Sequence, residues 1–587
     1  MRDRIDFMKF LRVIVCVTLA LNTLWSANQA STNNIDRQAE REAEKAANRI
    51  LHFHERQQKT NQVEKDIENS NKIRRDNKVE LAAPTRKTAK RFYFDKILFS
   101  NYKRSEEIPD ELKTIIKRYT KKYISATDIL KIVQESSNYF LSMGYSTTIV
   151  GIEDMDLKQH ILILKINFGY INNIYINGKA DTLKSKITFP LIFNRANDAT
   201  IFNIHRIDQG LENINRVSYG TKLYIAPSKK VGFSDIFVEA KPKPASISAS
   251  VDNSADKEDG TLRANLSVGL NDLLGMNDIL TLYGSHRILK DKYASYRMKD
   301  YRKVKDNLYL GTYSIPFGWH TLSYTLQFGD IKNNIEGDYG NYTSTNQTLK
   351  HIFSFDTVIF RNSSSKVKLF GKINVKDITN KIENQLLSGS SGRYTSVFAG
   401  IDILKYIQNG YLYAEFTYKT GLPILGGKRN DEESVYKINY DISELSFLFN
   451  KALYHNDYFL LSYKANGAGS YSRDKLLYAD KFFVGDEYTV RGFKESSVAW
   501  DLGAYLNNTL SFKLFSFPYI EPFIGLDFGY GRDYELLYDD FLAGVAFGLI
   551  WSYANFSADI TLSKDIHKGN GMPKESIPIY ARVSFSY

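Results

Sequence analysis

Residues 321–328 read Thr-Leu-Ser-Tyr-Thr-Leu-Gln-Phe, so apolar and polar side chains alternate with a period of two. The same alternation returns along the second half of the chain, at 261–270, 366–375, 412–419 and 579–587. A period of two is the pattern of a β-strand, in which successive side chains point to opposite faces. Because one face of these strands carries Lys, Arg, Glu and Gln, that face needs water and the other needs an apolar medium.

Amphipathic strands that repeat without helices between them predict a transmembrane antiparallel β-barrel over residues 245–587. With about 10 residues per spanning strand plus turns, this region fits roughly 14 to 18 strands, and we take about 16 as the prediction. The strand that ends at Tyr587 is expected to close onto the first one, since lipid does not tolerate an open sheet edge. A soluble β-sandwich or propeller is the alternative, although such folds rarely carry long polar rows opposite their buried faces.

The composition agrees with an aromatic-rich β protein, since 40 Tyr and 36 Phe stand against 4 Trp. The net charge is +12, but Lys and Arg are spread among 66 acidic residues without a basic block. We therefore expect no nucleic-acid partner. The only cysteine is Cys16, which lies in the N-terminal leader, so no disulfide or cysteine chemistry is expected in the mature chain.

Residues 1–30 are predicted to be a secretory signal peptide. A basic start precedes an apolar run at 13–24 and then small residues, with cleavage expected near Ala27 or Ala30. A short membrane anchor is the alternative reading. The apolar run is, however, shorter than the about 20 residues that a spanning helix needs.

Residues 31–58 predict a helix with Asp36 as its N-cap. Its apolar stripe is thin, so this helix must lie in water or in a water-filled cavity. Residues 59–90 are charged and rich in Asn, which predicts a linker. His52 and His54 lie on the helix without further ligands at metal spacing, so we expect no metal site.

Between the linker and the barrel the pattern is that of two small α/β modules, predicted at residues 91–167 and 168–243. Residues 127–143 predict a helix that stops at Gly144, and residues 204–217 predict a second helix. Short apolar strands surround each helix. Pro242 and Pro244 mark the boundary with the barrel.

Two motifs in the barrel region carry a resemblance to a known family. Val490-Arg491-Gly492-Phe493 follows a strand, and Asp527 lies between Leu526 and Phe528 in the stretch 522–531. Together with the order of helix, linker, two modules and barrel, these motifs resemble the two-partner secretion transporters (TpsB) of the hemolysin and hemagglutinin activation–secretion type. The periplasmic modules of that family are called polypeptide-transport-associated (POTRA) domains, and the resemblance covers essentially the whole chain.

The resemblance implies roles for particular residues. The loop with Val490, Arg491, Gly492 and Phe493 is expected to fold into the barrel lumen, where Arg491 contacts Asp527 on the wall. The alternative is that both are ordinary solvated charges. In the two modules, the resemblance implies substrate contacts at Tyr145, Thr147, Arg206 and Asn213, although the Pro- and Gln-containing stretch of the family is absent after Tyr145.

The resemblance also implies a function. The implied protein is a monomeric outer-membrane pore that recognises one large unfolded exoprotein of the adhesin or hemolysin class and secretes it from the periplasm to the cell surface. The N-terminal helix is expected to sit in the lumen at rest. No catalytic motif appears in context, so neither enzyme activity nor a cofactor is expected. An insertase that assembles outer-membrane proteins and a diffusion porin remain as alternatives.

Overall fold

A helix, two α/β modules and a closed barrel follow one another along the chain in the computed structural model. The structure describes residues 37–73, 90–102, 107–180, 182–190, 200–254, 262–288, 305–337, 340–430, 436–494, 496–535, 537–570, 572 and 575–587. The predicted signal peptide, residues 1–30, lies outside the described residues.

Helix α1 spans Arg37–Ile73 and is longer than the sequence predicted. The linker prediction for 59–90 is wrong for residues 59–73, which continue the helix. This stretch contains no Gly or Pro, and Val63 and Ile67 pack against the barrel wall. At 1.5 Å per residue the helix is about 55 Å long, enough to run through a membrane-spanning barrel.

None of the helices within the described ranges combines the length and the apolar composition that a membrane crossing needs.

The first module contains two small sheets and two helices. β2, β5 and β4 form a three-stranded sheet in that order, and β1 pairs with β3. Ser125 begins α3 with a capping box, since its hydroxyl accepts from the Asp128 N–H while the Asp128 carboxylate accepts from the Ser125 N–H. The elements are β1 (Arg91–Phe94), β2 (Lys96–Phe99), α2 (Asp110–Lys117), β3 (Lys122–Ser125), α3 (Ala126–Ser142), β4 (Ile149–Asp156) and β5 (Ile161–Asn167).

The second module has one four-stranded sheet in the order β7-β6-β9-β8, covered by two helices. Phe189, Phe202 and Ile207 lie in its core. The elements are β6 (Tyr170–Ile176), β7 (Lys179–Ala180), α4 (Leu183–Thr188), α5 (Ile204–Asn215), β8 (Ser218–Pro227) and β9 (Phe233–Pro242).

The barrel is closed by antiparallel pairing of its first and last strands, in which Asp252 lies opposite Arg582. Sixteen long strands make up its wall in the described part of the chain, which confirms the prediction of about 16. They are β10 (Ala245–Asp252), β11 (Arg263–Asn271), β12 (Ile279–Arg287), β13 (Lys305–Phe317), β14 (His320–Gly337), β15 (Gly340–Arg361), β16 (Ser365–Ile382), β18 (Gly392–Ile407), β19 (Gly410–Gly421), β20 (Asp441–His455), β21 (Phe459–Ser472), β24 (Leu502–Leu514), β25 (Ile520–Asp533), β26 (Tyr538–Tyr553), β27 (Phe556–His567) and β28 (Ile579–Ser586), with β17 (Gln385–Leu386) paired to the end of β16.

The two faces of the barrel wall differ as the alternation predicts. Outward-facing Leu322, Phe353 and Phe416 are exposed, as lipid contacts require. Inward-facing Gln327 and Asp527 are buried by what fills the lumen. β10 begins directly after the second module. The end of the barrel at which β10 begins is therefore the end on the side of the modules.

Candidate functional site: the inward loop and the lumen helix

The connection between β21 and β24, which we call the inward loop (residues 473–501), turns back into the barrel. Within it β22 (Phe482–Val484) pairs with β23 (Val498–Trp500). Val490 and Phe493 of this loop are almost fully buried in one apolar cluster with Trp500. The motif is therefore packed inside the protein and is not a solvated surface segment.

The structure brings Arg491 and Asp527 into direct contact. The Arg491 Nε and Nη2 atoms donate to the two carboxylate oxygens of Asp527, each over 2.7 Å. The Arg491 backbone N–H donates to the same carboxylate over 3.0 Å. Two further bonds, to Thr509 Oγ1 and to the Asn508 carbonyl, use the other guanidinium donors. A bidentate pair of this kind fixes orientation as well as distance.

Missing side chains on the wall make room for the motif. A Cβ atom at Gly544 would lie 1.7 Å from the Arg491 carbonyl oxygen, and one at Gly525 would lie 2.1 Å from its guanidinium. Gly492 itself has φ +113° and packs against the backbone of Lys564 and Asp565. These glycines allow the loop to approach the strands at backbone distance.

The inward loop is also tied to the closing strand. The Glu575 carboxylate accepts from the backbone N–H groups of Lys494 and Ser496, and the Tyr580 hydroxyl donates to the Phe493 carbonyl over 2.9 Å. Glu487 forms an ion pair with Arg582 of β28. The loop therefore spans from β25 to the strand that closes the barrel.

Helix α1 runs through the same lumen, beside the inward loop. Arg56 is paired with Asp486 of the loop over 2.5 Å and donates to the Phe483 carbonyl. The His52 ring stacks on Phe483, with 5.0 Å between ring centroids. Helix and loop thus fill the lumen as one packed unit.

The remaining contacts of α1 with the wall are largely polar. Ion pairs join Glu55 to Lys350, Lys59 to Glu415 over 2.8 Å, and Glu64 to Lys464 over 2.5 Å. Small apolar contacts lie on either side of these ion pairs. Leu51 packs against Leu308 and Ile331, and Ile67 packs against Leu404 and Leu448.

Glu212 of α5 joins the three parts of the molecule. Its carboxylate accepts from Arg361 of β15 over 2.6 Å, from Lys366 of β16 over 2.7 Å, and from the Ser70 hydroxyl of α1 over 2.9 Å. Burial raises the pKa of the Glu212 carboxyl, but the two cations lower it by more, so that its pKa lies below the ordinary value.

This contact predicts a pH dependence. Because the Glu212 pKa is depressed in the folded protein, its stabilising effect is present above the ordinary Glu value of about 4.3 and is lost as the pH falls below it. We expect the second module to loosen from the barrel only below about pH 4. Spin labels on the exposed positions Lys229→Cys and Asn409→Cys report this as a broadened distance distribution.

The matched control for that measurement is Glu212→Gln, which should broaden the distribution already at neutral pH. Identical distance distributions for Glu212→Gln and the unaltered protein at neutral pH would contradict the role of this carboxylate.

The structure places the four predicted substrate contacts of the modules in different surroundings. Tyr145 packs against the core of the first module, with its ring 6.4 Å from that of Phe140, and Thr147 lies against Gly169. Arg206 is half-buried near the start of α5. These three lie near the junction of the modules, where the Ile204 N–H donates to the Gly144 carbonyl.

Asn213 lies elsewhere and is buried against the barrel. Its amide donates to the carbonyls of Thr188 and Gly318, the latter in the turn between β13 and β14. Its side-chain oxygen accepts from Gln209. Since its polar atoms are used within the protein, the structure gives Asn213 a place in the module–barrel junction and does not support the predicted substrate contact.

Sequence reasoning missed several residues of the site. Glu212 and Ser70 carry no local motif, and only the three-dimensional arrangement brings them to Lys366. The lysines of the lumen could have been found from the sequence, because Lys366, Lys368 and Lys372 lie on the polar face of an alternating strand.

The fold and the site together define a membrane-spanning barrel whose lumen is filled by its own loop and helix and whose modular arm lies at one end. Residues 232–550 match the family model described as "Haemolysin secretion/activation protein ShlB/FhaC/HecB", and residues 101–169 match "POTRA domain, ShlB-type". The chain belongs to the haemolysin secretion/activation family, the TpsB-type outer-membrane transporters of secreted proteins. The barrel lies in the outer membrane and the POTRA modules in the periplasm.

Two curated relatives agree with this assignment, and a solved structure shows the same fold. The outer membrane transporter CdiB of Escherichia coli is 26% identical over 494 residues, covering 81% of this chain and 80% of CdiB. The hemolysin transporter protein ShlB of Serratia marcescens is 27% identical over 474 residues, covering 79% of this chain and 81% of ShlB. The structure of CdiB from Escherichia coli has the same fold, with a TM-score of 0.79, 21% identity, and coverage of 92% of this chain and 98% of CdiB.

Proposed function

We propose that this protein acts as a monomer and secretes one large exoprotein of the adhesin or hemolysin class, in unfolded form, from the periplasm to the cell surface. The relatives are named as outer-membrane and hemolysin transporters. The observation that carries the proposal is the polar attachment of α1 in the lumen, through pairs such as Lys59 with Glu415. Water can hydrate these polar groups once the helix leaves, because the inner face of such a barrel is polar, so the helix can leave and open a path.

The first POTRA module is proposed to capture the exoprotein at the free edge of its sheet. β4 lies at this edge and, among the described residues, pairs with β5 alone. Its side chains Ile149 and Ile152 are 59% and 45% exposed. An extended chain can add to such an edge through main-chain hydrogen bonds, with the apolar side chains supplying contact area.

Replacing Ile149 and Ile152 together by lysine should therefore reduce secretion about tenfold, the equivalent of about 1.4 kcal/mol of binding free energy. The amount of exoprotein in the medium measures the effect. Leu98→Lys, on the opposite edge strand and 41% exposed, is the matched control and should secrete normally. Equal losses in both variants would mean that the β4 edge has no special part in capture.

The experiment that tests the proposed function is secretion of a large candidate exoprotein, co-expressed in cells with and without this chain. Export that depends on the chain supports the proposal. If export is independent of the chain but other outer-membrane barrels fail to assemble without it, the chain is an insertase. If neither depends on the chain while small solutes enter faster with it, the chain is a diffusion porin.

A further inference from the structure

A row of lysines lines the lumen wall that α1 covers. We call Lys350 of β15 together with Lys366, Lys368, Lys372 and Lys376 of β16 the lysine track. The four on β16 alternate with the lipid-facing residues Leu369 and Ile373 and therefore face the lumen. From residue 366 to residue 376 there are ten residue steps. This is about 34 Å along the strand and most of the thickness of a bilayer core.

Two of these lysines are direct cross-strand neighbours, because Lys350 lies opposite Lys376 in the register of β15 and β16. Like charges in this position repel each other. Both side chains are also buried, with exposed fractions of 10% and 7%, so each needs a nearby anion.

The anions at the track come largely from parts of the protein other than the barrel wall. Lys350 pairs with Glu55 of α1, and Lys376 pairs with Asp480 of the inward loop over 3.3 Å. Lys366 donates to Ser70 of α1 and to Glu212 of the second module. Lys368 and Lys372 are the exceptions, since Lys368 pairs with Asp402 of the neighbouring strand over 3.1 Å and Lys372 interacts with Glu415 of β19.

Departure of α1 would therefore leave one lysine of the track, Lys350, without its anion. Lys350 would lose Glu55 and remain beside Lys376, while Lys366 would lose only the neutral Ser70 hydroxyl and keep Glu212. The wall on the other side of the lumen is mixed in charge, with Asp527 and Asp559 near Arg491 and Arg582. An anionic group on the molecule that then occupies the lumen would replace Glu55 as the partner of Lys350.

We propose that the lysine track is the surface along which carboxylate side chains of the exported polypeptide pass, and that Glu55 holds the place of one of them at rest. The occupant is an extended polypeptide segment that presents Asp or Glu at this wall. This inference rests on the proposed secretion function and specifies the chemistry of its substrate at one wall of the path.

A peptide-block experiment tests the inference on the full-length protein in a planar lipid bilayer. The probes are two unstructured synthetic peptides of equal length, one with repeated Asp-Gly and one with repeated Lys-Gly, added at the periplasmic side during channel openings. We expect the acidic peptide to block the openings at a concentration at least about tenfold lower than the basic peptide, as opposite charge in a confined path predicts.

The variant Lys350→Gln/Lys372→Gln removes two charges from the track and should abolish this preference. The matched control is Lys305→Gln/Lys437→Gln, which removes two lysines that are about half exposed near the outer ends of the strands. It should keep the preference. Lys372→Gln alone is the second variant, to be used if the double variant fails to assemble. It should weaken the preference for the acidic peptide.

Equal block by both peptides in the unaltered protein, or an unchanged preference in an assembled track variant, would overturn the inference. Secretion measured in parallel separates this result from the proposed function. Normal secretion without a preference for the acidic peptide rejects the track alone. A clear preference without any secretion rejects the exoprotein function and leaves the track as an acidic-peptide site of a pore.

Discussion

Replacing Arg491 by alanine is expected to stop secretion while the barrel still assembles. The change leaves the Asp527 carboxylate fully buried without its cation. Removal of one partner of a buried ion pair costs about 3–5 kcal/mol, which corresponds to more than a hundredfold change in how often the inward loop is docked. The backbone pairing of β24 with β25 is interrupted at 507–508, where Asp527 accepts from the Asn508 N–H and Arg491 donates to the Asn508 carbonyl. The two strands pair on both sides of this interruption, so the barrel should still assemble.

The measurement for Arg491→Ala is the amount of exoprotein in the medium, together with the resistance of the folded barrel to heating in detergent. Arg532→Ala is the matched control, because Arg532 lies on β25, the strand that carries Asp527, and is 47% exposed in a 3.5 Å pair with Asp539. Arg491→Lys should retain part of the activity, since lysine keeps the charge but loses the two-point contact. Secretion at the level of the unaltered protein by Arg491→Ala would show that this pair has no role in transport.

Replacing Gly544 by alanine is expected to reduce secretion about as much as Arg491→Ala, but for a different physical reason. The new methyl group would lie 1.7 Å from the Arg491 carbonyl oxygen, a backbone atom that no side-chain rotation can move. The inward loop must then leave the wall, and secretion should fall as in Arg491→Ala.

Trypsin on whole cells measures the position of the loop in this variant. The peptide bond after Arg491 is buried in the docked state and should become cleavable when the loop is displaced. Gly371→Ala is the matched control, because the nearest atom to its new Cβ lies 3.8 Å away, an ordinary contact distance. An uncut loop and normal secretion in Gly544→Ala would contradict the docking geometry.

Much of the fold could be predicted from the sequence because it depends on local patterns. The alternation at 321–328 and its repeats predict lipid-facing strands, and chain length limits their number. The helix of the first module and its end at Gly144 also follow from local signals. The family assignment depends on short motifs such as 490–493, which carry information that the periodicity does not.

The remaining features depend on contacts between distant parts of the chain. The extension of α1 to Ile73 looked like a linker, because its charged side chains are satisfied by lumen residues such as Lys464 and not by a core. Asn213 resembled a substrate contact, but the turn at Gly318 uses its amide. Nothing local in the sequence places Glu212 next to Lys366, since a module and a barrel strand meet there.

The most direct test of the central claim uses the purified full-length chain in liposomes. The exoprotein is unfolded in urea, diluted on the periplasmic side of the inserted chain, and assayed for protection inside the vesicles against external protease. The account predicts protected exoprotein with the unaltered chain and none with Arg491→Ala at equal insertion. Equal protection in vesicles with and without the chain would contradict the claim that this barrel transports the exoprotein.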